Sequence, residues 1–158
     1  MKIRKLSPEN YAKASALLLL AFPGRNDEVK LVENFHKNGA AVHEWVCIHI
    51  NRIIGYIAFS KAYNGSEVCG LHLGPLAVKP EFQKQGIGSE LLRFALRQDV
   101  IKANTIFVLG NPAFYKKFGF EACAMPLCPF DKKNGHFLSL RNKTASQFTV
   151  GYEPEFGA

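Results

Sequence analysis

Between Leu73 and Leu96 the chain reads LGPLAVKPEFQKQGIGSELLRFAL, and the residues after Lys79 suit the binding of an anion. Gln83, Gly86 and Gly88 stand close together, with Lys84 and Gln85 between them. Glycines let backbone N–H groups approach a ligand closely, and a helix that starts there adds unpaired donors and the positive end of its dipole. Lys79 and Lys84 add charge nearby, so the stretch reads as a phosphate cradle. It is not a dinucleotide-binding turn, whose third glycine position is occupied by Leu91, and no G-x-x-x-x-G-K-[ST] run exists.

A second constellation lies further on, in GNPAFYKKFGF, residues 110–120. Asn111 suits a helix cap, Pro112 the first helical turn, and Gly119 the left-handed position that ends a helix. Tyr115 sits between them, and a phenol with a reference pKa of about 10 is a proton donor available at neutral pH.

These residues need rigid carriers. Leu76-Ala77-Val78 forms an apolar run expected to be a buried strand, ended by Lys79-Pro80 because proline has no N–H for a ladder. From Ile87 the period changes: Ile87, Leu91, Phe94 and Ala95 fall on one face of a helix, expected over 87–102. Thr105–Leu109, TIFVL, is a second buried strand. Gly74-Pro75 inside the Cys69–Val78 strand predicts a bulge or an unpaired edge.

The pattern Gln83-x-x-Gly86-x-Gly88 after a strand L-A-V-x-P resembles the acyl-CoA loop of the GNAT superfamily of N-acetyltransferases. Asn111, Tyr115 and Gly119-Phe120 are similar to a second segment of that superfamily, at its spacing. The resemblance covers Leu71–Phe120 most strongly, and the closing Tyr152-x-Pro154-x-Phe156 is similar to a bacterial GNAT subgroup of unknown substrate. It implies an α/β (α+β) fold: a mixed, mostly antiparallel sheet flanked by helices, with two splayed parallel central strands, as one N-acetyltransferase domain over 1–158.

The implied function is acetyl transfer from acetyl-CoA, with no metal, to an unidentified primary amine by direct attack in a ternary complex. The implied cofactor contacts are the backbone of Leu76, Ala77 and Val78 for pantetheine, and Gln83, Lys84, Gln85, Gly86, Ile87, Gly88 and Ser89 for the pyrophosphate. Asn111 holds the pantetheine, Phe114 walls the tunnel, and Tyr115 protonates the departing thiolate. Many members place a glutamate base on the central strand or its neighbour. Here the base stays unassigned, with His72, Glu67 and Glu44 as candidates. Two other readings stand beside this one: a non-catalytic acyl-CoA-binding module, and a nucleic-acid-associated protein, which the scattered charge disfavours.

The remaining chain is compatible. Ile3–Leu6 is a short strand; Ser7 and Pro8 open a helix with a Tyr11, Ala14, Leu17, Leu18 stripe; Phe22-Pro23-Gly24 stops it. Asn26 or Asp27 caps a second helix with Val29, Val32 and Phe35 inward, ended by Asn38-Gly39. Helices in this region of the GNAT fold line the acceptor side, which brings Asp27, Glu28, Glu33 and His36 into consideration. Trp45–Ile50 and Ile53–Ser60 form a hairpin across Asn51-Arg52, followed by a polar loop over Lys61–Glu67. Gly135–Leu140 and Gln147–Tyr152 are two further strands.

At 158 residues, with 47% hydrophobic and 21% charged residues, the chain has the composition of a globular protein with a proper core. No apolar run approaches membrane-spanning length, and because Met1-Lys2-Ile3-Arg4 leads straight into strand-like sequence with no small-residue cleavage site, no secretory signal is expected. The net charge of +7 is spread along the chain without a dense basic arm, which suits an anionic cofactor plus solubility better than nucleic acid. Cys47, Cys69, Cys123 and Cys128 show no C-x-x-C or zinc-like spacing, and free thiols suit a cytoplasmic location. Oligomeric state and the use of other acyl groups leave no trace in the sequence.

Overall fold

The structure is a computed structural model that describes residues 1–131 and 135–157; Lys132 and Lys133 of the scattered basic set lie outside the described residues. Seven strands form one sheet in the order β1-β2-β3-β4-β5-β7-β6. They are β1 (Lys2–Lys5), β2 (His43–His49), β3 (Arg52–Asn64), β4 (Glu67–Val78), β5 (Ile106–Leu109), β6 (Glu121–Ala122) and β7 (Phe137–Leu140). Every pairing is antiparallel except β4 with β5. A parallel pair needs a crossover, and the segment that begins at the glycine loop provides it.

Helices cover both faces. On one, α1 (Tyr11–Ala21) and α2 (Asp27–Asn38) pack Ala14, Leu17, Leu18, Val29 and Val32 over Val46, Tyr56, Ala58 and Ala77. On the other, α3 (Ile87–Leu96) buries Leu91, Leu92 and Ala95 against Ile57, Leu71 and Leu73. Burying a leucine such as Leu91 contributes about 2 kcal/mol, so this apolar stripe docks the helix whose first turn forms the loop. The crossover is not one helix over 87–102. It ends at Leu96, Gln98 is extended at ψ 141°, and a short α4 (Asp99–Lys102) follows. Its apolar periodicity continues through the break because Ile101 also enters the core.

Several local expectations are corrected by pairing. His49 pairs with Arg52, so the β2–β3 turn is Ile50-Asn51, with φ +49° and +61°, and not Asn51-Arg52. Exposed Ile50 looks like strand sequence yet occupies a turn, because the ladder on both sides sets where the chain reverses. The 61–67 segment is not a loop. β3 runs to Asn64 and β4 starts at Glu67, leaving Gly65-Ser66 as the turn, with Gly65 at φ +62°. Residues 147–152 form no strand; they make only single bridges, Tyr63 with Gly151 and Leu127 with Thr149. The two-residue β6 carried no sequence signal.

The C-terminal segment crosses the sheet on the face shared with α2. Tyr152 stacks on His72 at 3.6 Å, and Phe156 packs edge-on to Phe35 of α2. The Y-x-P-x-F ending is therefore a packing device that ties β4 to α2.

Candidate active site

The register of β4 is where the site begins. Ile57 pairs with Leu76 and Phe59 with Leu73, so Gly74 and Pro75 together oppose Ala58 in a bulge. The parallel pairing with β5 runs from Leu71/Ile106 to Leu73/Val108 and stops there. Beyond the bulge β4 stays paired to β3 but has lost its other neighbour. Lys79 donates its N–H to the Ile54 carbonyl, so by strand alternation Ala77 also turns its backbone to β3, while Leu76 and Val78 turn theirs outward. The Gln83 amide donating to the Val78 carbonyl at 2.9 Å lies on that outward side. The Leu76 N–H and C=O and the Val78 N–H are left on a free strand edge.

The loop sits beside that edge. Gly86 takes the left-handed conformation at φ +83°, which a side chain rarely tolerates. The first bond of α3 runs from Glu90 N–H to the Gly86 carbonyl, so the N–H groups of Ile87, Gly88 and Ser89 have no backbone acceptor among the described residues. Gly88 is different from Gly86. A Cβ there would meet only Val78 Cγ2 at 3.6 Å, an ordinary contact, so nothing within the fold requires glycine.

One cleft of about 530 Å³ joins these parts. Leu76, Val78, Gln83 and Lys84 line it together with Gly86, Ile87, Gly88 and Ser89, and Phe114 closes it from α5 (Pro112–Tyr115). Phe82 and Lys117 line it too. Neither was singled out from the sequence, although Lys117 stands one helical step after Phe114, and its Nζ lies 5.4 Å from that ring. Three expected residues turn their side chains elsewhere. The Ala77 side chain is buried under α1 on the opposite face. Gln85 donates back to the Glu81 carbonyl. Lys79 pairs with Glu81 at 3.3 Å and lines a separate depression beside α1, so it adds no charge to the cleft.

Asn111 caps α5: its side-chain oxygen accepts from the Ala113 N–H at 3.0 Å, which leaves its amide NH2 available. Tyr115 is nearly buried, its ring edge-on to Phe114 and Phe120. The ring lies close against the backbone just past β5, where a Cβ on Gly110 would come within 2.6 Å of Tyr115 Cε2. Burial pushes the phenol up to about 12, so it stays protonated across the neutral range. Its hydroxyl makes no hydrogen bond among the described residues.

The three base candidates separate. His72 is buried and its Nε2 donates to the Gly151 carbonyl at 2.9 Å; burial lowers its pKa to about 4. With Nε2 engaged and its ring stacked on Tyr152 at 3.6 Å, His72 packs β4 against the C-terminal segment. Glu67 stands at the start of β4, seven residues before the bulge, which is roughly 20 Å along a strand. Glu44 pairs with Ala58 at the level of the bulge, two strands and about 10 Å from β4. Its Oε2 accepts from Tyr56 (2.5 Å) and His36 (2.7 Å), and His36 also stacks on Tyr11.

Comparison with known proteins agrees with this architecture. A family model described as an acetyltransferase (GNAT) domain matches residues 40–122. The chain is 31% identical over 127 residues to the uncharacterized N-acetyltransferase YhbS of Escherichia coli, covering 78% of this chain and 75% of that protein. A shorter match to the uncharacterized N-acetyltransferase YjhQ of the same species, 38% identical, spans 46% of this chain and 42% of YjhQ. The crystal structure of E. coli YhbS in complex with CoA superposes with a TM-score of 0.89 at 27% identity, over 99% of this chain and 92% of that one. A GNAT family acetyltransferase from Brucella melitensis in complex with acetyl-CoA gives 0.82 at 27% identity, over 98% and 97%. With the parted β4–β5 pair, the glycine loop and these relatives together, the chain belongs to the GNAT acetyltransferase family.

Proposed function

We propose that this protein moves an acetyl group from acetyl-CoA to a primary amine by direct attack in a ternary complex. The observation that carries the reading is the parting of β4 from β5 beside the glycine loop, which puts a free strand edge and a helix start in one cleft. The amides of a pantetheine arm can pair with such an edge as an added strand does, and a diphosphate suits the helix start. Gly88 supports the fit, because its missing side chain matters to a ligand and not to the fold. The relatives crystallised with CoA and acetyl-CoA support the same cosubstrate.

In this reading the backbone of Gln85, Gly86, Ile87, Gly88 and Ser89 holds the diphosphate, and Lys84 and Lys117 balance its charge. Leu76 and Val78 pair with the pantetheine, Ala77 holds their register by pairing with Tyr56, and the Asn111 amide meets the arm near its end. Phe114 excludes water from one side. The amine nitrogen attacks the thioester carbonyl carbon, a C–N bond forms, and the C–S electron pair goes to sulfur. Tyr115 donates its proton to that sulfur, and the proton lost by nitrogen restores the phenol through solvent.

CoA added to the protein tests the reading. A ligand that binds only the folded state stabilises it by about 2.7 kcal/mol at a hundred times its Kd, so the melting temperature rises with CoA concentration. An unmoved melting curve at saturating CoA removes the assignment of the cleft.

A further inference from the structure

The turn between β2 and β3 carries an unusual residue. Ile50 is 78% exposed and sits at φ +49°, in the left-handed region that a β-branched side chain rarely adopts. With Asn51 at φ +61° it makes a two-residue turn, a place that favours Asn or Gly. Neither stability nor solubility asks for isoleucine at such a tip, and an exposed residue held in a costly conformation calls for a role outside the fold.

A second apolar ridge stands beside it. A surface helix with one buried stripe normally turns a polar face to solvent, yet α1 reads YAKASALLLLA. Ala14, Leu17 and Leu18 are buried, while Leu19 and Leu20 are each 51% exposed. Between the ridge and the turn lies a depression of about 260 Å³. Lys13 and Leu20 line it from α1, Asn51 and Arg52 from the hairpin, and Lys79 from the end of β4. Its charge is one-sided. Residues 10–26 contain Lys13 and Arg25 and no acid. Glu81 is the one carboxylate paired with these cations among the described residues, at 3.4 Å from Arg52 and 3.3 Å from Lys79, and at 59% exposure it holds them weakly.

The occupant of this face must offer apolar depth to the tips and negative charge to the depression. A second copy brings the same cations, which a two-fold contact would set against one another. Nucleic acid offers no apolar depth, and the protruding side chains are aliphatic, not the aromatic platforms on which bases stack. A protein partner would need a pocket shaped for each tip. A lipid surface takes protruding apolar side chains without any pocket and sets phosphates at the level of the cations.

We propose that this face docks the protein on an anionic lipid bilayer, with Leu20 and Ile50 entering the acyl boundary and Lys13, Arg52 and Lys79 meeting headgroup phosphates. Leu17 and Ile53 of the depression pack on the α1 side of the sheet, and Val78 and Ile87 of the cleft on the α3 side, so the docked face and the cleft lie on opposite sides.

The test is sedimentation with vesicles of phosphatidylcholine alone and of phosphatidylcholine with one-third phosphatidylglycerol. Binding is expected to the mixed vesicles only, and to weaken as salt rises. A chain of net charge +7 is drawn to any anionic surface, so the variants decide. Ile50→Asn suits the left-handed turn and Leu20→Ser changes a half-exposed side chain; each should keep the fold, by melting temperature, and lower vesicle affinity about tenfold. Lys13→Gln is expected to lower it about fivefold, while Lys143→Gln, the same change of charge beside Asn64 at the other end of β3, leaves it within about twofold of the parent. Parent-like binding in both Ile50→Asn and Leu20→Ser, or equal losses for Lys13→Gln and Lys143→Gln, overturns the proposal. So does equal binding to both vesicles, or binding to neither. A dimer in sedimentation velocity that Ile50→Asn dissolves overturns it in favour of self-association through this face.

Discussion

Replacing Tyr115 by phenylalanine isolates the proposed acid, because the fold has little stake in the hydroxyl. The ring keeps its edge contacts with Phe114 and Phe120 and its seat against Gly110, and no hydrogen bond among the described residues is lost, so stability should change by less than about 1 kcal/mol. The effect on rate follows from the raised pKa. A phenol near 12 is a weaker acid than a free phenol, and against a thiol of about 8.5 a complete proton transfer is uphill by about 3.5 pKa units, roughly 5 kcal/mol. The group therefore helps only while the proton is partly transferred, and the loss on Tyr115→Phe should fall at the low end of the general-acid range, about 10²-fold in turnover. Gly110→Ala attacks the same hydroxyl from another side. Its Cβ, 2.6 Å from Tyr115 Cε2, displaces the ring, and a misplacement of about 1 Å carries a similar loss. The assay is release of free CoA with an accepted amine, where chemistry limits the rate, beside a CoA affinity measurement expected to be unchanged in Tyr115→Phe. Because burial holds the phenol's pKa well above the neutral range, no loss of the wild-type rate between about pH 6 and pH 9 should trace to this residue. Turnover equal to the parent in Tyr115→Phe refutes the acid role and returns the ring to packing.

Gly88→Glu should remove CoA binding while sparing the fold, since its Cβ has room beside Val78 and its carboxylate repels a diphosphate; Gly86→Glu should do the same with added strain from φ +83°. A folded Gly88→Glu protein that binds CoA normally, by calorimetry, places the diphosphate elsewhere. His72 should dominate part of the acid limb of stability. Its folded pKa, about 4, lies below the unfolded 6.5, so its contribution is fully present above pH 6.5 and is lost as pH falls through 4, about 3 kcal/mol in all. His72→Phe keeps a ring to stack on Tyr152 and should flatten the melting temperature between pH 6.5 and 4; an unchanged pH profile removes that role.

What the sequence determined by itself was local. Gly86, Asn111, Pro112 and Gly119 announce their backbone roles because turn and cap geometry depends on a few adjacent residues, and the apolar period of Ile87, Leu91 and Ala95 announces a docked helix for the same reason. Gly74-Pro75 announced a break in β4. Where β5 leaves β4 was decided by pairing between residues more than thirty apart in the chain, and the turn at Ile50-Asn51 and the extension of β3 and β4 through polar residues by the register of whole hairpins rather than by the turn residues. Side-chain direction was likewise tertiary: Lys79 and Lys84 look equivalent in the sequence, yet strand alternation and Glu81 turn one away from the cleft while the other lines it. Asn38 and Glu155 meet only because the C-terminal segment folds back on α2, and no sequence period joins residues so far apart.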